Sequence, residues 1–578
     1  MARTNSHVRY EPNENPPPLV SIGAGIQATV LIVTPVVLTV VIVARIADVS
    51  EAYMTWGVFA AMIISGLTTI LQVVRVGKIG SGYVLIMGTS AAFIAVCVAA
   101  LVKAGPATMA SLIIVSSIIQ FFLAARLSLL RRIFTPTVAG TVIMLIAATV
   151  APILFNSFGD VPEDTSDIAA PLAVLATLIT VTVLVLRGPS SLRLWSPIIG
   201  VAVGCIVGVP FGLYDIQTVI DAQWIGVPFQ SWPGIDVTPG VEFWALLPAF
   251  VIVTIIGAIE TIGDGVAIQR VSRREPRATD FRVVQGALNT DGVGNLLSGI
   301  LGTLPNTTYS TSISLAEVTG VAARRVGVVI GVAFLVLAFF PKVAAVIIAI
   351  PAPVAAAYIM VLIALLFLQG MRIVIQDGLD YRKALIVGLA FWVGVGFQNQ
   401  WIFPELLGDG FLGVLLGNGM TSGSLVAIVA MLFMEVTAPR RKRIKVALET
   451  GSLPQLTDFL RGFASSASWD EASQNRIVLV GEETLTSLLD DPNNASESDD
   501  SRRLVVAAHS VGREIELEFV AASETENLED QLSYLGETPD IADDREISFR
   551  LLRHYATSVR HQKYHGVDVV TVNVERMA

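Results

Sequence analysis

The sequence predicts an all-α polytopic membrane protein with a small α/β domain at its C-terminal end. Three observations carry that prediction. Of 578 residues, 53% are hydrophobic and only 15% charged, with a mean hydropathy of +0.68. Soluble domains carry roughly a quarter charged residues, so most of this chain belongs in lipid. Apolar runs of spanning length recur from residue 19 to residue 436. The charge is also unevenly placed: residues 446–578 hold 25 acids and 11 bases, whereas residues 1–445 hold 23 acids and 27 bases. A membrane body is followed by an acidic, water-soluble tail.

Taken in order, residues 1–18 (MARTNSHVRYEPNENPPP) are polar and proline-rich and lack the form of a cleavable signal peptide. They read as a disordered cytoplasmic lead-in. Apolar runs then fall at 19–44, 54–74, 82–102, 106–125, 134–156, 168–186 and 194–213. A second set falls at 242–266, 283–302, 306–320, 325–341, 343–369, 383–399 and 407–436. The expectation is fourteen transmembrane segments, seven in residues 19–213 and seven in residues 242–436. Residues 214–241, with Trp224 and Trp232, read as an extracytoplasmic interfacial loop.

Orientation tests the count. With both termini inside, the cytoplasmic side collects Arg75, Lys78, Arg126, Arg131, Arg132, Arg187 and Arg193. It also collects Arg270, Arg273, Arg274, Arg277, Arg282, Arg324, Arg325, Arg372, Arg382 and Lys383. The other side keeps only Arg45, Lys103 and Lys342. A miscounted segment would have scrambled that positive-inside bias. The cluster RRKRIK, Arg440–Lys445, then holds the tail (437–578) in the cytoplasm.

Two runs interrupt the helical pattern at corresponding places. SGYVLIMGTSAAF (81–93) passes from β-prone residues into a Gly-Thr-Ser turn, and GTLPNTTYSTSIS (302–314) packs proline, asparagine and hydroxyls at membrane depth. Polar, turn-prone backbone survives there only where it lines a cavity or is buried in protein. A matched pair in two halves is the pattern of a transporter built from inverted repeats. The bland reading is that small polar residues merely help helices pack.

The run from Ala245 to Arg270 reaches two acids, Glu260 and Asp264, before any base. At i and i+4 they share one helical face, about 6 Å apart along the axis. An ionisable group at this depth costs roughly 2.5–3.5 kcal/mol, so the face is expected to hold a polar substrate and the proton or cation that drives it. The alternative is a helix that ends at Ile259, with ETIGDG as a wet loop. Cys97 and Cys205 lie inside apolar runs, which argues against a disulfide framework, a thiolate metal site or a cysteine nucleophile. All five histidines, at 7, 509, 554, 561 and 565, lie outside the apolar runs. A proton relay in the membrane would have to use carboxylates.

Gln27, GKIGSGYVLIMGTSAAF (77–93), GAIETIGD (257–264), TDGVGN (290–295), GTLPNTTYS (302–310) and IPAPVAAAY (350–358) occur here in one order. Together they resemble the nucleobase/ascorbate transporters, the nucleobase–cation symporter 2 or uracil/xanthine permease family, over roughly residues 19–436. The resemblance implies two inverted repeats of seven segments. Segments 1–4 and 8–11 would form a core domain, segments 5–7 and 12–14 a gate that usually mediates homodimerisation, and segments 3 and 10 would each contain a short strand. It implies that Glu260 hydrogen-bonds the nucleobase, with Asp264 on the same face and Gln27 in the first segment. Thr89, Ser90 and Ala91, and Tyr309, Ser310 and Thr311, match the two strand regions. Asp291, in the TDGVGN run, is expected either to couple segment 9 to segment 8 or to be a helix-start acid near the inner interface. Aspartate at 264 tilts the expectation toward a purine such as xanthine or urate rather than uracil. The family's usual Gln or Glu, Asn and Gly after NTTY are here Thr311, Ser312 and Ser314, and the usual Gln-His of segment 1 is Gln27-Ala28.

The expected activity is import of a nucleobase by symport with H+ or Na+, not an enzymatic reaction, in the cell membrane. No metal, cofactor or nucleic acid is implied. An anion exchanger of the related sulfate/bicarbonate fold and a transport-derived membrane sensor are the alternatives. Glu317, Gln398 and Asn399 read as interfacial or solvated. In the tail, RIVLV, RRLVVAA, REIELEFVAA and VDVVTVNVE read as strands, 482–490 and 545–560 as helices, and 492–501 as a loop. The tail faintly resembles the ATP-binding fold of histidine kinases, with Ser487 where such folds carry asparagine. A regulatory or assembly role is expected.

Overall fold

The computed structural model describes all residues except 1–6, 126–134, 164, 229–230, 276–278, 377–379, 408–410, 438–440, 490–502, 512–513, 522–543, 565–566 and 577–578. Residues 7–272 and 283–434 form one compact unit; a second gathers 435–578 with 273–282. Arg126, Arg131, Arg132, Arg277, Arg440 and the 492–501 loop lie outside the described residues.

The first unit is helical apart from two short strands. It contains α1 (Pro18–Ile46), α2 (Glu51–Val74), β1 (Met87–Thr89), α3 (Ile94–Ala125), α4 (Pro136–Ser157), α5 (Ala169–Arg187) and α6 (Ser190–Gly208). After residue 240 come α7 (Val241–Val271), α8 (Phe281–Leu301), β2 (Asn306–Thr308), α9 (Thr311–Thr319), α10 (Arg324–Ala338), α11 (Pro341–Ile348), α12 (Ala352–Gln376), α13 (Tyr381–Gln398) and α14 (Gly419–Thr437). Among the described residues, eight helices are long and apolar enough to cross a membrane.

Local chemistry sets the breaks. Ser50 and Thr135 cap α2 and α4 through their hydroxyls, satisfying an N–H that the first turn leaves unpaired. Gly105 adopts φ +81° just before Pro106, so the expected spans 82–102 and 106–125 meet at a sharp kink inside α3. The run expected as one span at 343–369 is divided. α11 folds back on α10 at 86°, and α12 begins only after Pro351. The residue before a proline is driven from helical to extended backbone, which ends α11 there. Glycines allow close helix contacts: a Cβ on Gly66 of α2 would fall 2.7 Å from the Gly331 carbonyl of α10.

Residues 7–12 do not run as a free lead-in. Arg9 and Tyr10 donate their N–H groups to the Gly320 carbonyl, Ala322 donates to Tyr10, and Arg324 donates to Pro12. Main-chain pairing of this kind needs no apolar side chains, so composition alone did not reveal it. Between α6 and α7, Asp215 caps a short helix, Ile216–Asp221, and Trp232 donates its indole N–H to the Ile300 carbonyl at 3.0 Å.

The second unit holds β3 (Lys442–Ala447), α15 (Leu453–Ser466), α16 (Glu471–Leu489), β4 (Arg503–Val511), β5 (Glu514–Ala521), α17 (Asp544–Tyr555), β6 (Ser558–Tyr564) and β7 (Val567–Glu575). Its five strands pair antiparallel in the order β3-β4-β5-β7-β6. Val506, Leu517, Phe519, Val570 and Val572 form one buried cluster with Leu456, Leu460 and Ile477 of the helices. RIVLV, expected as a strand, is the middle of α16. Its wider frame explains why: Ser473, Ile477, Val480, Thr484 and Leu488 are buried at helical spacing. The RRKRIK cluster, expected to hold the tail in the cytoplasm, runs on into a strand: Lys442–Ala447 forms β3.

The Gly66 contact is testable. Gly66→Val places branched carbon against the α10 backbone and is expected to lower the melting temperature in detergent by several degrees, for an overpacking cost of about 1–3 kcal/mol. An unchanged melting curve would show that the two helices do not meet there.

Candidate functional site

Three residues of β1 and three of β2 pair antiparallel inside the helical unit: Met87 opposite Thr308, Gly88 opposite Thr307 and Thr89 opposite Asn306. All six are buried. Pairing satisfies main-chain groups that no water reaches. The junctions are bonded too: Ser90 N–H donates to the Pro305 carbonyl, Tyr309 N–H to Ile86, and Ile86 N–H to the Ser312 hydroxyl. Glycine is required at 88, where a Cβ would sit 2.8 Å from both the Tyr309 ring and Val36 of α1. Tyr309 is fixed by its own hydroxyl, which donates to the Thr89 carbonyl at 2.7 Å.

Beside this ribbon lies a cavity of about 520 Å³, within the usual range for a small-molecule site. Glu260 of α7 opens into it together with Thr89, Ser90, Ala91, Tyr309, Ser310 and Thr311. The N-terminal ends of the helices that follow the two strands both border the space, so unpaired N–H groups are presented there. Leu31 and Pro35 of α1, Pro197 of α6, and Tyr358 and Leu362 of α12 complete an apolar wall, while Arg193 and Glu317 lie along its rim. Pro35 lacks an N–H, which loosens α1 where it meets the cavity. A larger cavity of about 860 Å³ lies further along α1, beside Arg45, Asp48 and Glu51. It contains none of the predicted site residues, so the smaller one is taken as the site.

The three buried carboxylates differ in what they bind. Among the described residues Glu260 makes no hydrogen bond, and it lines the cavity. Asp264 is 3% exposed and fully engaged: Thr308 donates to Oδ2 at 2.8 Å and Ser310 to Oδ1 at 2.7 Å. Asp264 therefore braces β2 from behind and does not line the cavity. Asp291 of α8 is also held inside, accepting at Oδ2 from Gln120 at 2.7 Å and from Thr261 at 3.1 Å. Thr308 and Thr261, 3.4 Å apart, connect the two aspartates.

Three of the predicted site residues stay out of the cavity: Asp264, held behind β2, Gln27 and Asp291. Gln27 is half-buried on α1, a turn before Leu31, and does not reach the cavity; Asp291 sits behind it. At the departures from the family pattern, Thr311 and Ser314 line the cavity. Ser312 does not: it bridges Ile86 N–H and the Tyr309 carbonyl. Sequence reasoning missed Gln120, Tyr358 and Pro35. Gln120 had one available signal, a lone amide in the apolar run SSIIQFF.

The Permease family model matches residues 20–401. A Clostridium perfringens protein provisionally named a purine permease is 30% identical over 64% of this chain and 80% of its own length. Xanthine permease XanP of Escherichia coli is 29% identical over 74% of this chain and 95% of its own. The xanthine permease of Bacillus subtilis is 24% identical over 73% and 95%. Among solved structures, the transmembrane domain of the cyanobacterial bicarbonate transporter BicA overlaps 73% of this chain and 99% of its own. That overlap is at 14% identity and a TM-score of 0.44.

The division of labour between the acids predicts different responses to substitution. Asp264→Ala strands the Thr308 and Ser310 hydroxyls and removes two charge-assisted bonds. It should cost about 2–4 kcal/mol and depress the melting temperature clearly. Glu260→Gln breaks no bond within the protein and should melt within about two degrees of wild type. Differential scanning fluorimetry in detergent decides it; equal losses would contradict the assignment.

Proposed function

The chain belongs to the nucleobase/ascorbate permease family, and from that premise we propose that it is a secondary active transporter importing a nucleobase by cation symport. It is a permease and not an enzyme. The observation that carries the reading is the unpartnered Glu260 carboxylate facing a cavity bordered by two helix N-termini. A carboxylate accepts from the N–H groups along one edge of a lactam ring, while the helix-end N–H groups and hydroxyls of Ser90 and Thr311 meet its carbonyl oxygens. Tyr358, Leu31 and Leu362 supply apolar surface for the ring faces. The substrate class proposed is a purine such as xanthine or urate, in keeping with the names of the relatives and with aspartate at 264.

The cycle proposed runs through Glu260, Asp264 and Asp291. H+ is favoured over Na+ because these carboxylates lie close together, and with no histidine in the helical unit's apolar segments a proton relay there uses them. Two adjacent anions in an apolar setting favour uptake of a compensating charge with the substrate. Release to the cytoplasm follows as the cavity opens past Arg193 and Glu317. The accompanying fold reading is fourteen segments in two inverted repeats, core and gate, in the cell membrane as a homodimer with both termini cytoplasmic. The regions around β1 and β2, at matching places in the two halves, support the repeat. The acidic tail is assigned a regulatory or assembly role. Anion exchange is not favoured, since the cavity meets its ligand with an acid rather than a base.

Binding of purines and pyrimidines to the purified protein tests this directly. Xanthine or a close purine should bind, and Glu260→Gln should weaken it by about 30-fold or more, equivalent to one lost charge-assisted bond pair. Uptake into cells should collapse with a protonophore and be indifferent to Na+. A panel with no binding base, or binding unaltered in Glu260→Gln, would overturn the assignment.

A further inference from the structure

Gln120 lies on the second half of α3, an element that supplies no residue to the cavity lining. Its side chain is completely buried, yet it works at both ends. Nε2 donates to Asp291 Oδ2 at 2.7 Å, and Oε1 accepts from Asn295 Nδ2 at 2.8 Å. Asn295 Oδ1 in turn accepts the Asn306 main-chain N–H at 2.7 Å, the first residue of β2. A primary amide can do this because its N–H2 donates while its carbonyl oxygen accepts. The approach is specifically permitted: a Cβ on Gly299 of α8 would lie 2.9 Å from the Ala110 carbonyl of α3, and one on Gly292 would lie 3.0 Å from Phe121.

The same cluster leaves acceptors without donors. Asp291 Oδ1 and Asn306 Oδ1 are buried and have no hydrogen-bond partner among the described residues. Uptake of a proton by the Asp291 carboxylate gives a carboxylic acid, which donates where the ionised form only accepts. The ionisable groups facing Asp291 are Asp264 and Glu260 of α7. The neutral groups bonded to Asp291 are Gln120 of α3 and Thr261 of α7.

We propose that Gln120 is the positioning residue of the coupling step. It pins Asp291 Oδ2, leaves Oδ1 as the oxygen that takes the proton, and links that event through Asn295 to the main chain of β2. This rests on the nucleobase–cation symport reading, of which it specifies the coupling machinery. Gln120 touches neither substrate nor cavity and acts only through Asp291 and β2.

The test is the pH profile of xanthine uptake in cells carrying full-length Gln120→Met or Gln120→Glu. Methionine keeps the length and loses the donor; glutamate adds an acid against Asp291. Both favour the protonated carboxyl, so the profile should move to higher pH by about one unit, further for glutamate. Substrate KM at the optimum should stay within about threefold. A purely packing role would lower uptake evenly across pH and leave the midpoint unmoved in both variants, which would overturn the proposal. Where uptake is too low to titrate, the pH dependence of xanthine binding to the purified variants should show the same upward shift, and an unmoved midpoint there would equally overturn it. A wild type that carries no nucleobase removes the underlying reading, and this one with it. A wild type that carries xanthine while the variant profiles coincide with it removes this one alone.

Discussion

Six residues of extended chain, paired in the middle of a helical bundle, are the constraint on which the site depends. Main-chain N–H and C=O groups away from water must find partners, and a helix finds them within itself. β1 and β2 cannot. Each satisfies the other across the antiparallel ribbon, and the flanking hydroxyls of Ser312 and Thr69 take the groups left over at Ile86 and Met87. In return the chain gains two helix starts beside one cavity, at Ala91 and Thr311. A continuous helix through either position would have hidden those N–H groups. The Gly88 contact with Tyr309 and Val36 shows how closely the ribbon is seated.

That ribbon also explains why acids one turn apart on α7 do different work. Asp264 falls level with the end of β2 and is captured by Thr308 and Ser310. Glu260, one turn nearer the cavity, meets no such donors and stays available. The third acid reaches the cluster from α8 and is shared with Gln120 and Thr261. Spacing alone made Glu260 and Asp264 look like equal partners on one face. The pattern of donors, which comes from other elements, separates them.

The hydropathy runs and the polar interruptions located, among the described residues, eight long apolar helices and the two strand regions, because those signals are local: apolar length for a helix, Gly, Pro and hydroxyl clusters for a break. They did not place every segment: 306–320, read as one span, is β2 followed by the short α9. Glu260 was legible for the same reason, as a charge where charge is costly. What escaped depended on partners distant in sequence. Gln120 meets Asp291 across 171 positions. Tyr358 is apolar by composition and becomes a wall residue only by the fold. The 7–12 segment is ordered by main-chain bonds to 320–324, which leave no mark in side-chain pattern. RIVLV was misread because a short run with three β-branched residues fits a strand until its neighbours at 473, 484 and 488 are counted.

The arrangement also constrains how the cavity can change. α1 brings Leu31, Pro35 and Thr39 to the site and continues to Arg45. The Arg45 guanidinium donates to the carbonyls of Ile348, at 2.6 Å, and Ile350, at 3.1 Å, where α11 ends and α12 has yet to begin. Those carbonyls are a helix terminus with no partner of its own, so the cation both caps α11 and ties it to α1. α12 brings Tyr358 and Leu362 to the opposite wall of the cavity. The two walls are therefore joined through Arg45, whose bonds tie α1 to the turn between α11 and α12. Asp48, Glu51 and Asp160 line the second cavity beside the same guanidinium.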